Sequence, residues 1–215
     1  MTYGQESLSL YQRLEDERGI AWTMRLLGNC TLYSKGEFDQ AASLFEQGLA
    51  LAEELNDMAL MTRIYQNLGR TKMFSGDNAA AAKLGEKGLT LAHETGDRNG
   101  VGYLSYHLGV TAIMQREYAR AEAFLLEALA VCRDLKLPVN ATKTLHALGS
   151  AARLHKKYDR AASYFQEYLA IGRGIAGFDT FASPLGELGH ITARQGDSHR
   201  AVGFLRESIE TARGD

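Results

Sequence analysis

His107, His146 and His190 are the side chains best suited by type to bind a metal ion or move a proton. Their spacing does not support either role. They stand at different offsets from the nearest glycine of a repeating Leu-Gly pair, and no carboxylate accompanies them at ligand spacing. Cys30 and Cys132 form no CxxC or Cys/His pattern, and two cysteines are too few for a disulfide framework. Both fall in helical stretches, where a thiol is expected to fill a small core gap. No Walker loop, His-Glu-x-x-His, Gly-x-Ser-x-Gly or dinucleotide fingerprint is present. The chain carries no motif for bond-making chemistry, and no metal or other cofactor is expected.

Charge narrows the field further. Twenty-four Lys and Arg face 26 Asp and Glu, for a net charge of −2. A general nucleic-acid binder needs a basic excess to displace phosphate counterions, so none is expected here. The first residues lack the basic and apolar regions of a secretory signal. The longest run without a charged residue, Asn99 to Gln115, is broken by Ser, Tyr, His, Thr and Gly and is short for a bilayer. These features predict a soluble, cytoplasmic chain with no membrane partner.

The elements that must position any binding side chains come from a repeat. Leu-Gly recurs at Leu68-Gly69, Leu108-Gly109, Leu148-Gly149 and Leu188-Gly189, 40 residues apart, with a first copy at Leu27-Gly28. An alanine column runs through Ala41, Ala81, Ala121, Ala161 and Ala201 at the same spacing. Eight residues beyond each alanine stand Leu49, Leu89, Leu129, Leu169 and Ile209. Within a repeat, Ala41, Leu44, Phe45, Leu49 and Leu51 trace a helical stripe. Gly76-Asp77, Gly96-Asp97 and Gly196-Asp197 supply the left-handed residue that ends one helix and the N-cap that starts the next. The spacing predicts a leading half-repeat helix in 1–16 and helix pairs over 17–56, 57–96, 97–136, 137–176 and 177–215, as one array. A glycine inside a helix costs roughly 1 kcal/mol. Its recurrence predicts close helix approach at Gly69, Gly109 and Gly149. The leading helix is expected to pack through Leu8, Leu10 and Leu14. Gly172, Gly174 and Gly177, followed by Pro184, predict a shortened helix or a looser joint before the last pair.

This pattern resembles the tetratricopeptide repeat (TPR) family: Leu108-Gly109, Tyr118, Ala121 and Ala128-Leu129 show its signature well. The usual unit has about 34 residues. The longer version here resembles arrays in bacterial signal-transduction NTPases with their transcription regulators, and in Leu-Gly-Asn scaffold proteins. The resemblance implies an all-α fold, a TPR-like α-solenoid of antiparallel helix pairs in a right-handed superhelix. It implies a scaffold that binds a protein or peptide in its concave groove, as the sensor or assembly region of a larger regulator. A small-molecule effector site and a self-assembly module are the alternatives.

The resemblance also assigns the groove, by position relative to the Leu-Gly glycine. Six residues before it stand Trp22, Arg63, Tyr103 and Lys143; three before it, Arg25, Gln66, Tyr106 and His146. Asn67 and His107 stand two before, and Asn29, Arg70 and His190 one after. Arg153 and Arg194 follow further along the helix. Arginine predominates and Glu187 is the one acid in these columns, so an acidic partner is expected. Arg25, Asn29 and Asn67 resemble part of the five-residue grip some TPR domains use on a C-terminal carboxylate, while Tyr103 and His107 depart from it. A leading unpaired helix and a final Ala-Arg-Gly-Asp with no polar capping helix suggest a piece of a longer protein, or end-to-end self-association.

Overall fold

The computed structural model describes residues 3–213; the last two residues of the terminal Arg-Gly-Asp tripeptide lie outside them. The described residues form eleven α-helices and no strand: α1 (Tyr3–Arg13), α2 (Glu17–Lys35), α3 (Phe38–Glu54), α4 (Met58–Phe74), α5 (Asn78–Glu94), α6 (Arg98–Met114), α7 (Tyr118–Asp134), α8 (Pro138–Leu154), α9 (Tyr158–Gly172), α10 (Ala182–Arg194) and α11 (Ser198–Arg213). The chain divides into two compact units, residues 1–111 and 112–215. In the first, α1 to α5 pack each on the next, and in the second α7 to α11 do the same.

One hydrogen-bonded turn explains most of the joints. The backbone N–H of Asp57 donates to the Ala52 carbonyl, Asp77 to Lys72, Asp97 to Ala92, Leu137 to Cys132, Lys157 to Ala152 and Asp197 to Thr192, all at 2.8–3.1 Å. This six-to-one bond closes a Schellman motif, which places the preceding residue in the left-handed region. Gly76, Gly96 and Gly196 take that position with φ of 85°, 68° and 87°. Asn56, Lys136 and Lys156 take it too, with φ of 52°, 53° and 60°. Where the next residue is aspartate, its carboxylate also caps the following helix: Asp57 accepts from the Leu60 N–H at 3.0 Å, and Asp97 from the Gly100 N–H at 2.9 Å.

The repeating small residues are buried where helices meet. All five alanines of the column lie in the core. The glycines serve a different neighbour from the one anticipated. A Cβ on Gly28 would lie 2.5 Å from the Phe45 ring, on Gly149 2.6 Å from the Phe165 ring, and on Gly189 2.6 Å from Leu205. Each glycine therefore makes room for a large side chain on the partner helix. Phe45 and Phe165 are fully buried, and such burial is worth roughly 1.5–3 kcal/mol, more than the helix penalty of one glycine. At Gly69 the two backbones do converge, opposite Gly85, but an added Cβ would sit at 3.5 Å, ordinary contact.

Two other expectations need correction. Leu10 and Leu14 are 47% and 64% exposed and do not pack the leading helix, whereas Leu8 is half-buried. That helix approaches α2 through Tyr11, which lies over Gly19, and through Gly4, which faces Leu27. Cys30 is exposed and fills no core gap, whereas Cys132 is buried. Before the last pair the helices are shortened: α9 has 15 residues and α10 13, against 17 in α4 to α8. The joint is nevertheless packed. Phe178 and Phe181 close over Gly172, and the Tyr168 hydroxyl meets the Thr180 carbonyl at 2.8 Å. Pro184 sits in the first turn of α10, where its missing N–H is no loss.

Candidate functional site

In the N-terminal unit, α2 and α4 lie side by side and repeat the same positions, so their side chains form rows. Trp22 and Arg63 stand in one row, Arg25 and Gln66 in the next, Asn29 and Arg70 in a third. The Arg25 guanidinium lies over the Trp22 ring, 4.3 Å from its centroid. Arg70 lies over Tyr33 at 4.8 Å. One of its terminal nitrogens donates to the Tyr103 hydroxyl at 2.8 Å, and the other to the Asn29 carbonyl oxygen at 3.1 Å. The buried Asn67 amide is hydrogen-bonded to that of Asn29. The orientation that satisfies the network also lets Asn67 donate to the Arg63 carbonyl at 2.6 Å and accept from Arg70. The two asparagines that resembled a carboxylate grip are thus engaged with each other and with Arg70.

Tyr103, Tyr106 and His107 come from α6. His107 packs against Tyr103 at 4.3 Å between ring centroids and meets Tyr106 edge-on at 5.2 Å. Burial, aided by the positive charge of Arg70, pushes its pKa down to about 4, so the imidazole is neutral at pH 7. Burial raises the Tyr106 hydroxyl, and raises Tyr103 as well, with Arg70 opposing. Gln66 lines the same crevice as Arg70, Tyr103 and His107. Next to this patch, Trp22 and Arg63 form part of the wall of a cleft of about 430 Å³, which Tyr11, Asp16 and Asp57 also line. Sequence columns did not reveal Asp16 and Asp57 as neighbours of the site. Their shared place just before α2 and α4 is the signal that could have done so.

The electrostatics of this patch differ from those of the chain's ion-paired arginines. Among the described residues, Arg25, Arg63 and Arg70 have no carboxylate at ion-pair distance. Arg25 is pushed below the ordinary arginine value by burial first, then by the charges of Arg63 and Arg70. Elsewhere Arg18, Arg133, Arg160 and Arg173 each meet a carboxylate oxygen at 2.5–3.0 Å.

The C-terminal unit places the remaining candidates differently. Arg153 pairs with Glu187 at 2.8 Å, and Arg194 approaches the Tyr158 ring at 6.0 Å. With His190 these residues line a cleft of about 260 Å³. His146 faces Ser183 at 3.0 Å and stands edge-on to Phe165. Burial lowers its pKa, Glu187 opposes and Arg153 adds to the fall. Lys143 is exposed on α8. On this surface Glu187 neutralises Arg153. Among the described residues no cluster of three or more His, Cys, Asp or Glu could hold a metal ion, and no helix is long and apolar enough to cross a membrane.

Residues 2–54 and 106–135 match family models described as tetratricopeptide repeat. No curated protein sequence matches the chain. Among solved structures, BtubC (BKLC) from P. vanneervenii superposes with a TM-score of 0.87 at 23% identity, over 98% of this chain and 89% of that one. A putative kinesin light chain of Podosopora anserina with nearly identical TPR-like repeats gives 0.72 at 16%, over 93% and 94%. MamA from Desulfovibrio magneticus RS-1 gives 0.72 at 17%, over 93% and 97%. Likeness at these identities shows the fold, an all-α TPR-like solenoid, and with the two matched segments it supports the tetratricopeptide repeat family.

Proposed function

We propose that the chain is a protein-interaction scaffold that holds an acidic peptide or protein segment against the surface formed by α2, α4 and α6. The observation that carries this reading is the set of three arginines, Arg25, Arg63 and Arg70, with aromatic neighbours and no carboxylate partner. Guanidinium groups fork onto carboxylates, and fixed aromatic rings add contact area at low entropy cost. Trp22, Asn29, Gln66, Asn67, Tyr103, Tyr106 and His107 complete that face. Lys143, His146, Arg153, His190 and Arg194 belong to a second contact surface, on the C-terminal unit, where Glu187 pairs with Arg153. A role as the sensor or assembly region of a larger regulator, and the division into one leading half-repeat and five pairs, belong to the same proposal.

The test is a peptide-library screen on the purified chain. Acidic sequences should be selected, and their affinity should fall as salt rises, because the attraction is screened. Reversing Arg63 and Arg70 together to Glu should weaken binding by on the order of tenfold or more, whereas Glu46→Lys, on the exposed side of α3, should change it little. Selection of neutral or basic ligands would overturn the reading.

A further inference from the structure

The arginine patch carries more positive charge and more donor capacity than one carboxylate can use. Arg70 is already committed: its two terminal nitrogens are bound to Tyr103 and Asn29, and its face to Tyr33. It acts as a fixed positive charge at the rear of the patch. Arg25 and Arg63 are free to bind. The Arg25 Nε is buried and has no hydrogen-bond partner in the protein, while its plane is held against Trp22. A buried donor left unpaired is costly, by about 1–3 kcal/mol, and three guanidinium groups near one another repel. The Trp22 ring offsets part of this cost for Arg25, and a bound anion would offset the rest.

Ligand chemistry follows from counting. A carboxylate offers two oxygens and one negative charge. One arginine fork satisfies it, leaving the other fork unpaired and the patch still repulsive. A phosphate monoester carries about −1.5 to −2 charges at pH 7 and three strong acceptor oxygens, enough for the forks of both Arg25 and Arg63 with Arg70 behind them. The adjoining cleft, about 430 Å³ and lined by Arg63, Trp22 and Tyr11 among others, gives the rest of the ligand a place to lie. Its two acids are occupied: Asp16 caps α2 through the Gly19 N–H at 2.9 Å, and Asp57 caps α4 and pairs with Arg18 at 2.8 Å.

We infer that Arg25 and Arg63, backed by Arg70, form the seat of a phosphorylated side chain on the bound peptide. This rests on the acidic-peptide reading above and narrows it to a doubly charged oxyanion.

The experiment compares three degenerate peptide pools that differ only at a fixed central residue: phosphoserine, glutamate or serine. Each is titrated against the full chain by fluorescence anisotropy. The phosphoserine pool should bind about tenfold or more tightly than the glutamate pool, a difference of about 1.4 kcal/mol. Arg63→Gln and Arg25→Gln should each reduce that preference severalfold. Arg63→Gln should not lower the melting temperature, since it removes repulsion, whereas Arg25→Gln also gives up the contact with Trp22. Arg63 is exposed, so Arg63→Gln keeps the test valid should Arg25→Gln fold poorly. Equal binding of the phosphoserine and glutamate pools, both weakened by Arg63→Gln, would overturn the dianion seat and leave the acidic-peptide reading standing. Failure of both pools to bind better than the serine pool would overturn both.

Discussion

His107 shows what a single buried side chain contributes to the site and to stability. Its pKa is about 4, set by burial first and by Arg70 second, against an ordinary value of 6.5. Between pH 6.5 and pH 4 the unfolded chain takes up a proton there that the folded chain refuses. Stability from this residue is therefore complete above pH 6.5 and is lost as pH falls toward 4, by up to about 3 kcal/mol. Replacing His107 with Gln should flatten that part of the pH–melting curve relative to wild type. Parallel curves for the two proteins between pH 4 and 6.5 would show that the imidazole is not held neutral. None of this was visible in the columns, which could place His107 near the groove but not bury it. The engagement of Asn29 with Asn67 and Arg70 was equally out of reach, because it joins residues 38 and 41 positions apart and depends on how α2, α4 and their side chains meet.

At the scale of helices and turns, the 40-residue period was readable because Leu-Gly and alanine recur wherever helix meets helix. The partner that demanded the glycine was not, since the ring of Phe45 or Phe165 is an ordinary apolar residue until the packing is known. Turns divide in the same way. Gly76, Gly96 and Gly196 announced the left-handed position, but Lys136 and Lys156 fill it with side chains that give no such signal. The six-to-one hydrogen bond dictates the conformation and the side chain bears the strain. Left-handed backbone costs a non-glycine residue roughly 1–2 kcal/mol, part of which glycine returns as extra freedom in the unfolded chain. Lys156→Gly should thus stabilise the protein by roughly 0.5–1 kcal/mol, read as a higher melting temperature. A lower one would mean that the Lys156 side chain makes a contact worth more than the strain. For α1, sequence pattern pointed at Leu8, Leu10 and Leu14, yet of these only Leu8 is half-buried, and the helix meets α2 through Gly4 and Tyr11.

For the molecule as a whole, the consequence of a repeat fold is that stability is local. Within each unit helices pack mainly on their sequence neighbours, so free energy is close to a sum of repeat terms and nearest-neighbour interface terms. Gly149 offers a clean perturbation. It is buried on α8, and even a Cβ there would lie within 2.6–2.9 Å of three atoms of the Phe165 ring on α9. Phe165 is fully buried and has little room to retreat. Gly149→Leu should overpack the α8–α9 hairpin at a cost of roughly 1–3 kcal/mol. Native-state hydrogen exchange should then show α8 and α9 amides losing about tenfold to a hundredfold in protection, while α3 and α4, which share no hairpin with the altered residue, keep theirs. Binding of an acidic peptide to the α2–α4 surface should be unchanged in the same variant. A uniform loss of protection through all helices would instead show that the chain unfolds as one cooperative body, and that the two compact units are not energetically separable.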